Sequence, residues 1–177
     1  MSVYWGDYVP FQPGVRGLRH DLPRKAARQA FKRLISEKTA RIEELRKLLD
    51  VNGIELSASD EGLQVLNDWF RENVEPNESD PGRLRNLWYA VVNDIGLFLG
   101  DVMIERAPGL RWEFFTWGKK NVSYQRHVIM GFSQISFPTY NVDIDAAVAV
   151  YGQRIIAGQE VEKDAFRQWV EDSVRDA

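Results

Sequence analysis

Asp94, Asp101 and Glu105 stand at steps of seven and four inside one long apolar run. On a helix that spacing puts three carboxylates on a single face. Carboxylates converging on an open site can hold a divalent metal or share general acid–base work. With His127 they form the chain's best metal-dependent hydrolase candidate. A metal site wants further ligands arriving from elsewhere, and the two histidines, His20 and His127, lack ligand spacing with each other. The competing reading is a polar seam, in which the face meets water or Asp94 pairs with Arg83, Arg111 or Arg126. An aspartate in apolar surroundings stays charged only with a partner. Asp94 and Asp101 are therefore expected to be exposed, paired or protonated.

Other chemical patterns are weaker. Asn141-x-Asp143-x-Asp145 begins like a calcium-binding EF-hand loop, but Ala146 and Gly152 stand where that loop needs Gly and Glu, so helix capping explains the acids. Ser123 and His127 would share a face of a strand, which is a common coincidence. Trp117-Gly118-Lys119-Lys120 sets an aromatic beside two cations at a turn, a shape that could touch nucleic acid. There is no glycine-rich phosphate loop, Gly-x-Ser-x-Gly elbow or His-Glu-x-x-His motif. The chain has no cysteine, which excludes disulfides, thiolate metal sites and a cysteine nucleophile. The expectation leans to a protein without catalytic residues, cofactor or metal.

The run that carries the three acids, residues 84–106, is apolar on nearly every side. Such a helix belongs in a protein core or a bilayer. Asn93, Asp94 and Asp101 inside it favour the core of a domain without a membrane span. Gly96 and Gly100 then mark a face where another backbone passes close. Before this helix, the sequence predicts a turn-rich aromatic arm (1–20). A long basic amphipathic helix follows over 21–51, capped by Asp21, with its apolar stripe at Phe31, Leu34, Ile35, Ile42, Leu45, Leu48 and Leu49. Residues 54–57 could form an edge strand. Ser59 caps a second helix, with Leu63, Leu66, Trp69, Phe70 and Val74 inward, and Asp80 or Ser79 caps the apolar helix with Pro81 in its first turn.

Alternation at 110–117 and again at about 124–130 predicts two strands around a turn at 118–121, with 134–137 extending the sheet. Asp143 or Asp145 caps a helix ending at Gly158 that buries Ala147, Val148, Val150, Tyr151 and Ile155, and a last helix covers about 161–174. Consecutive strands among flanking helices make this α+β rather than a βαβ alternation. One domain is expected over 1–177, with the body at 55–177.

The net charge of −3 hides a segregation. Residues 16–47 hold eleven Lys and Arg against four acids, and residues 55–80 hold eight acids against one base. Either the two stretches attract each other, or the basic one meets an acidic partner. Arg24, Arg28, Lys32 and Arg33 are the candidate partner-binding residues, and the acidic helix around Asp68 and Glu72 is the alternative. Positive charge near a helix N-terminus opposes the helix dipole, a placement that hints at a use. A protein partner is favoured over nucleic acid, because the overall balance is acidic. The first residues lack a basic segment followed by a long apolar one, so cytoplasmic residence is the expectation.

Leu99-Gly100-Asp101 leading through Pro108-Gly109-Leu110-Arg111-Trp112-Glu113, preceded by Ser59-x-Glu61-Gly62-Leu63 and Leu66-x-x-Trp69-Phe70, resembles a layout found in small bacterial domains of unknown function. The resemblance covers roughly residues 55–157. It implies a helix turning into a strand that opens near a Trp, then a second strand and a helix. Some domains of this type are similar to immunity or other interaction proteins of bacterial toxin systems. The resemblance implies no catalytic residues and leaves the basic first helix outside it.

Overall fold

The computed structural model describes residues 2–177. Helix α1 covers Arg24–Asp50, α2 Asp60–Asn73, α3 Asn86–Arg106, α4 Ile144–Ile156 and α5 Ala165–Asp176. Strands β1 (Arg111–Phe114) and β2 (His127–Met130) lie between α3 and α4. They pair antiparallel with Arg111 opposite Met130 and Phe114 opposite His127. The fold is α+β, with a small antiparallel sheet and helices arranged about a buried central helix.

That central helix is α3. Length and composition alone would let it cross a membrane, yet here α1, α4 and α5 pack around it and 14 of its 21 residues are buried. Trp88, fully buried in its first turn, stacks edge-on against Trp5 at 5.5 Å and meets Trp69 at 5.5 Å and Phe70 at 5.8 Å. The N-terminal arm is thereby pinned to the body, as its aromatics predict. Asn52 adds two bonds, accepting from the Tyr4 amide at 3.0 Å and donating to the Tyr4 carbonyl at 2.8 Å.

The two mid-helix glycines serve different neighbours. A Cβ on Gly96 would come within 3.1 Å of the Asp145 Cα, so here α4's backbone does pass close. A Cβ on Gly100 would instead run into the indole of Trp112 from β1. Only one of the two expected backbone approaches is present; the other is a ring laid on the helix.

Local signals are realised where no long-range contact competes. The Ser59 hydroxyl accepts from the Gly62 amide at 3.0 Å, and Leu63, Leu66, Trp69 and Phe70 are all buried. Asp143 caps α4 by accepting from the Ala146 amide at 3.0 Å. Gly53 and Gly158, at φ of 75° and 67°, take the left-handed conformation that ends α1 and α4.

Elsewhere tertiary contacts override the local signal. Asp21 does not cap α1. It closes a 3-10 turn over Arg19–Asp21, and Pro23 precedes α1 with no side-chain cap. Pro81 does not open α3, because segment 75–85 folds back on itself through bonds from the Asn77 amide to the Arg83 carbonyl and from the Arg85 amide to the Glu75 carbonyl. Residues 54–57 form no strand. Nor do 134–137 extend the sheet, since the Ser133 and Gln134 amides bond the carbonyls of Ala177 and Asp176 while Val142 bridges Ile129. Both strands are shorter than their alternation suggests, and Gln125 just before β2 holds a left-handed φ of 62°. On α4, Val150 is 45% exposed rather than buried.

Candidate functional site

The three carboxylates of α3 do not converge. Asp94 has no exposed surface and is closed in by the arm and α1. Arg41 donates to it twice, from Nε at 2.9 Å and Nη2 at 2.6 Å. The Tyr8 hydroxyl donates at 2.6 Å and the Asn93 amide at 3.1 Å. Arg41 uses its remaining end on the Val9 carbonyl at 2.7 Å and lies over the rings of Tyr8 and Phe11. Burial pushes the Asp94 carboxyl upward against these bonds, and it pushes the Tyr8 hydroxyl up as well, helped by the Asp94 charge. Burial works to lower the Arg41 guanidinium, but its bonds to Asp94 outweigh that and raise it.

Asp94 is therefore paired, as its setting requires, but with none of Arg83, Arg111 or Arg126. The partner is Arg41, seven residues after Leu34 and four before Leu45 on the buried stripe of α1. A stripe read from apolar residues alone skips that position. The signal that could have found it is a cation at stripe spacing in a chain whose central helix carries a buried acid.

Asp101, a third exposed, accepts from Lys38 Nζ at 2.5 Å and from Trp112 Nε1 at 2.9 Å. Glu105 is exposed and shares a shallow depression with Asp101 and Lys38. Among the described residues no group of three or more His, Asp or Glu side chains is placed to hold a metal ion. A hydrolase centre on this face would have to work without Asp94, and with Lys38 occupying the Asp101 carboxylate.

His127 lies apart from that face. It opens β2, is 7% exposed, and makes no side-chain hydrogen bond among the described residues, its Nε2 standing 3.9 Å from Asp145. Burial lowers its basicity, with Asp145 and Asp143 working against that and Arg126 and Arg19 adding to it. The adjacent Arg126 bridges the start of α4. It donates from Nε and Nη2 to Asp143, and from Nη2 to Asp145 at 3.1 Å. These bonds outweigh burial and raise the Arg126 guanidinium. The acids that imitate an EF-hand thus cap α4 and hold an arginine. Ser123 sits in the turn before β2, not on the strand with His127.

Of the partner-binding candidates, Arg24, Arg28, Lys32 and Arg33 are all exposed. Arg33 donates to Glu37 at 2.9 Å, and Arg28 lies 5.0 Å over the Phe114 ring. Arg24 and Lys32 touch no carboxylate among the described residues. Five cations of residues 16–47 (Arg33, Lys38, Arg41, Arg46 and Lys47) have an ion-pair partner. The six that precede them (Arg16, Arg19, Arg24, Lys25, Arg28 and Lys32) have none among the described residues. The loop between the strands is rooted at this end, since Gln125 Nε2 donates to the carbonyls of Arg19 and Leu22 at 2.8 and 2.9 Å. It carries Lys119, Lys120 and the 44% exposed Trp117.

The acidic stretch does not neutralise this end. Among the described residues no ion pair joins 16–47 to 55–80. Asp60 pairs with Arg106, Asp68 with Arg71 and Glu75 with Arg85, while Glu72 is exposed. No family model, no curated protein and no solved structure matches this chain.

Proposed function

We propose that the protein is a non-catalytic binding protein whose basic end docks an acidic face of a partner protein. The observation that carries this reading is the sharp division along α1: every cation from Arg33 onward has an acid, and those before it have none among the described residues. Arg24, Arg28 and Lys32 recur every fourth residue, which sets them along one stripe spanning about 12 Å. α1 begins without a side-chain cap and without an acid in its first turn, so the helix dipole adds to the positive potential there. A surface of this kind steers an acidic partner and fixes its register. An immunity or accessory factor of a bacterial toxin system is a role that suits such a surface. The net charge of −3 and the short length of the stripe favour protein over nucleic acid.

The test is retention of a partner from nuclease-treated native lysate by the tagged protein. Reversing Arg24, Arg28, Lys32 and Arg33 to Glu should lose that partner. Reversing Asp68 and Glu72 to Lys should keep it. Unchanged recovery by the first variant sinks the basic surface, and a salt-sensitive gel shift with DNA or RNA through the same four residues would replace the protein partner with nucleic acid.

A further inference from the structure

A cleft of about 840 Å³ opens between the N-terminal arm, the first half of α3 and the first half of α4. Its walls are apolar, with Pro10 and Phe11 from the arm, Leu87 and Ala90 from α3, and Ala149 and Val150 from α4. Its polar end is made by Arg19, Arg126, His127 and Asp145. A volume of several hundred Å³, apolar walls and a few convergent polar groups describe the usual small-molecule site.

The hydrogen-bond accounting at the polar end points to the ligand's chemistry. Asp143 and Asp145 are already engaged by Arg126. Arg19 is not engaged by them, and its guanidinium makes no hydrogen bond among the described residues. His127 lines the same space with more than nine-tenths of its surface buried and no hydrogen bond to either ring nitrogen among the described residues. What the cleft presents is a half-buried guanidinium with no carboxylate bonded to it among the described residues, beside a buried imidazole whose nitrogens make no hydrogen bond there. A carboxylate matches the planar fork of an arginine with two oxygens, and charge-assisted pairs of that kind are the strong ones.

We infer that this cleft is a binding site for a small monocarboxylate with an apolar aliphatic or aryl body, its head on Arg19 and His127 and its body between the arm and α4. The site is separate from the four exposed cations of the basic end and does not depend on a partner binding there.

Octanoate and 4-phenylbutyrate are suitable probes, with octanamide and 4-phenylbutyramide as neutral matches, in calorimetric titrations of the whole protein. At least one acid should bind saturably, about tenfold or more tighter than its amide, as expected for a hydrogen bond to a charged group. The His127 ring resonances should shift during that titration. Arg19→Gln should weaken the acid about tenfold and the amide much less, removing the preference for acid over amide. Val150→Trp, at an exposed wall position, should abolish binding of both. The acid–amide comparison uses the unaltered chain, so it stands even if a variant folds poorly. Absence of saturable binding by both acids, equal affinity for acid and amide, or an undiminished preference in Arg19→Gln would overturn the assignment.

Discussion

Two arginine–carboxylate clusters lie against the N-terminal arm, and they are finished to different degrees. In the first, Arg41 and Asp94 are closed off by Tyr8 and Val9, and the carboxylate accepts four hydrogen bonds. In the second, Arg126 holds Asp143 and Asp145, but the Arg19 and His127 side chains beside it make no hydrogen bond among the described residues and face a cleft. Asn93 joins the two, since it donates to Asp94 and also lines the cleft. The first cluster buries its charge and the second does so in part, and burying charge is expensive unless it is paired and hydrogen-bonded. A saturated cluster has nothing left to offer a ligand and can only hold the fold together. The open cluster retains donors, so it can still gain a partner.

The comparison breaks most sharply at Asp94. Asp94→Ala leaves Arg41 buried without its counter-ion, and removing one member of a buried pair costs about 3–5 kcal/mol. Chemical denaturation should show a loss of that size, and a change under 1 kcal/mol would mean that the Arg41–Asp94 cluster does not hold the fold together. The double variant Arg41→Met/Asp94→Leu sharpens the point, because it removes both charges together. It should recover most of the loss, as apolar replacement of a buried pair is often neutral or better.

How much of this was legible follows from how local each signal is. The Ser59 cap, the stripe of α2 and the Asp143 cap depend on residues within a turn or two, and the structure keeps them. α3 was recognisable as a core helix because its composition leaves no polar face. The partner of Asp94 was not, since Arg41 is 53 residues away and looks like any helix cation until the fold places it. The local signal for the α3 start fails for a related reason. Pro81 is a good first-turn residue, but the pairing of segment 75 to 85 holds it outside the helix. Of the candidate site, the basic face could be listed from sequence. Its lack of counter-ions could not, and neither could the cleft, which needs the arm, α3, α4 and β2 together.

His127 gives a smaller test that separates open from saturated. Its folded-state basicity is lowered from the ordinary value of 6.5, first by burial. Above that pH both folded and unfolded chains hold it neutral. As pH falls below about 6.5 the unfolded chain takes the proton first, so stability should decline with acidification until the folded-state value is passed. His127→Gln, which does not titrate, should flatten that part of the profile relative to the parent. Superimposable profiles between pH 5 and 7 would mean that the cleft solvates the ring well enough to offset its burial, and His127 would then not distinguish the open cluster from the saturated one.

The smallest effect tests whether the basic end belongs with the saturated cluster or the open one. Arg24 stands in the first turn of a helix with no side-chain cap and no acid there. A cation in that position opposes the dipole, and an anion is favoured by about 0.3–1 kcal/mol. Arg24→Glu should therefore raise the melting temperature slightly while weakening partner retention. That pairing of outcomes distinguishes the two kinds of residue. A side chain kept for the fold, like Arg41, destabilises when replaced; one kept for binding at the fold's expense stabilises when replaced and takes function with it. If Arg24→Glu instead lowers the melting temperature, Arg24 has an intramolecular role after all, and the division along α1 between paired and free cations loses its functional meaning.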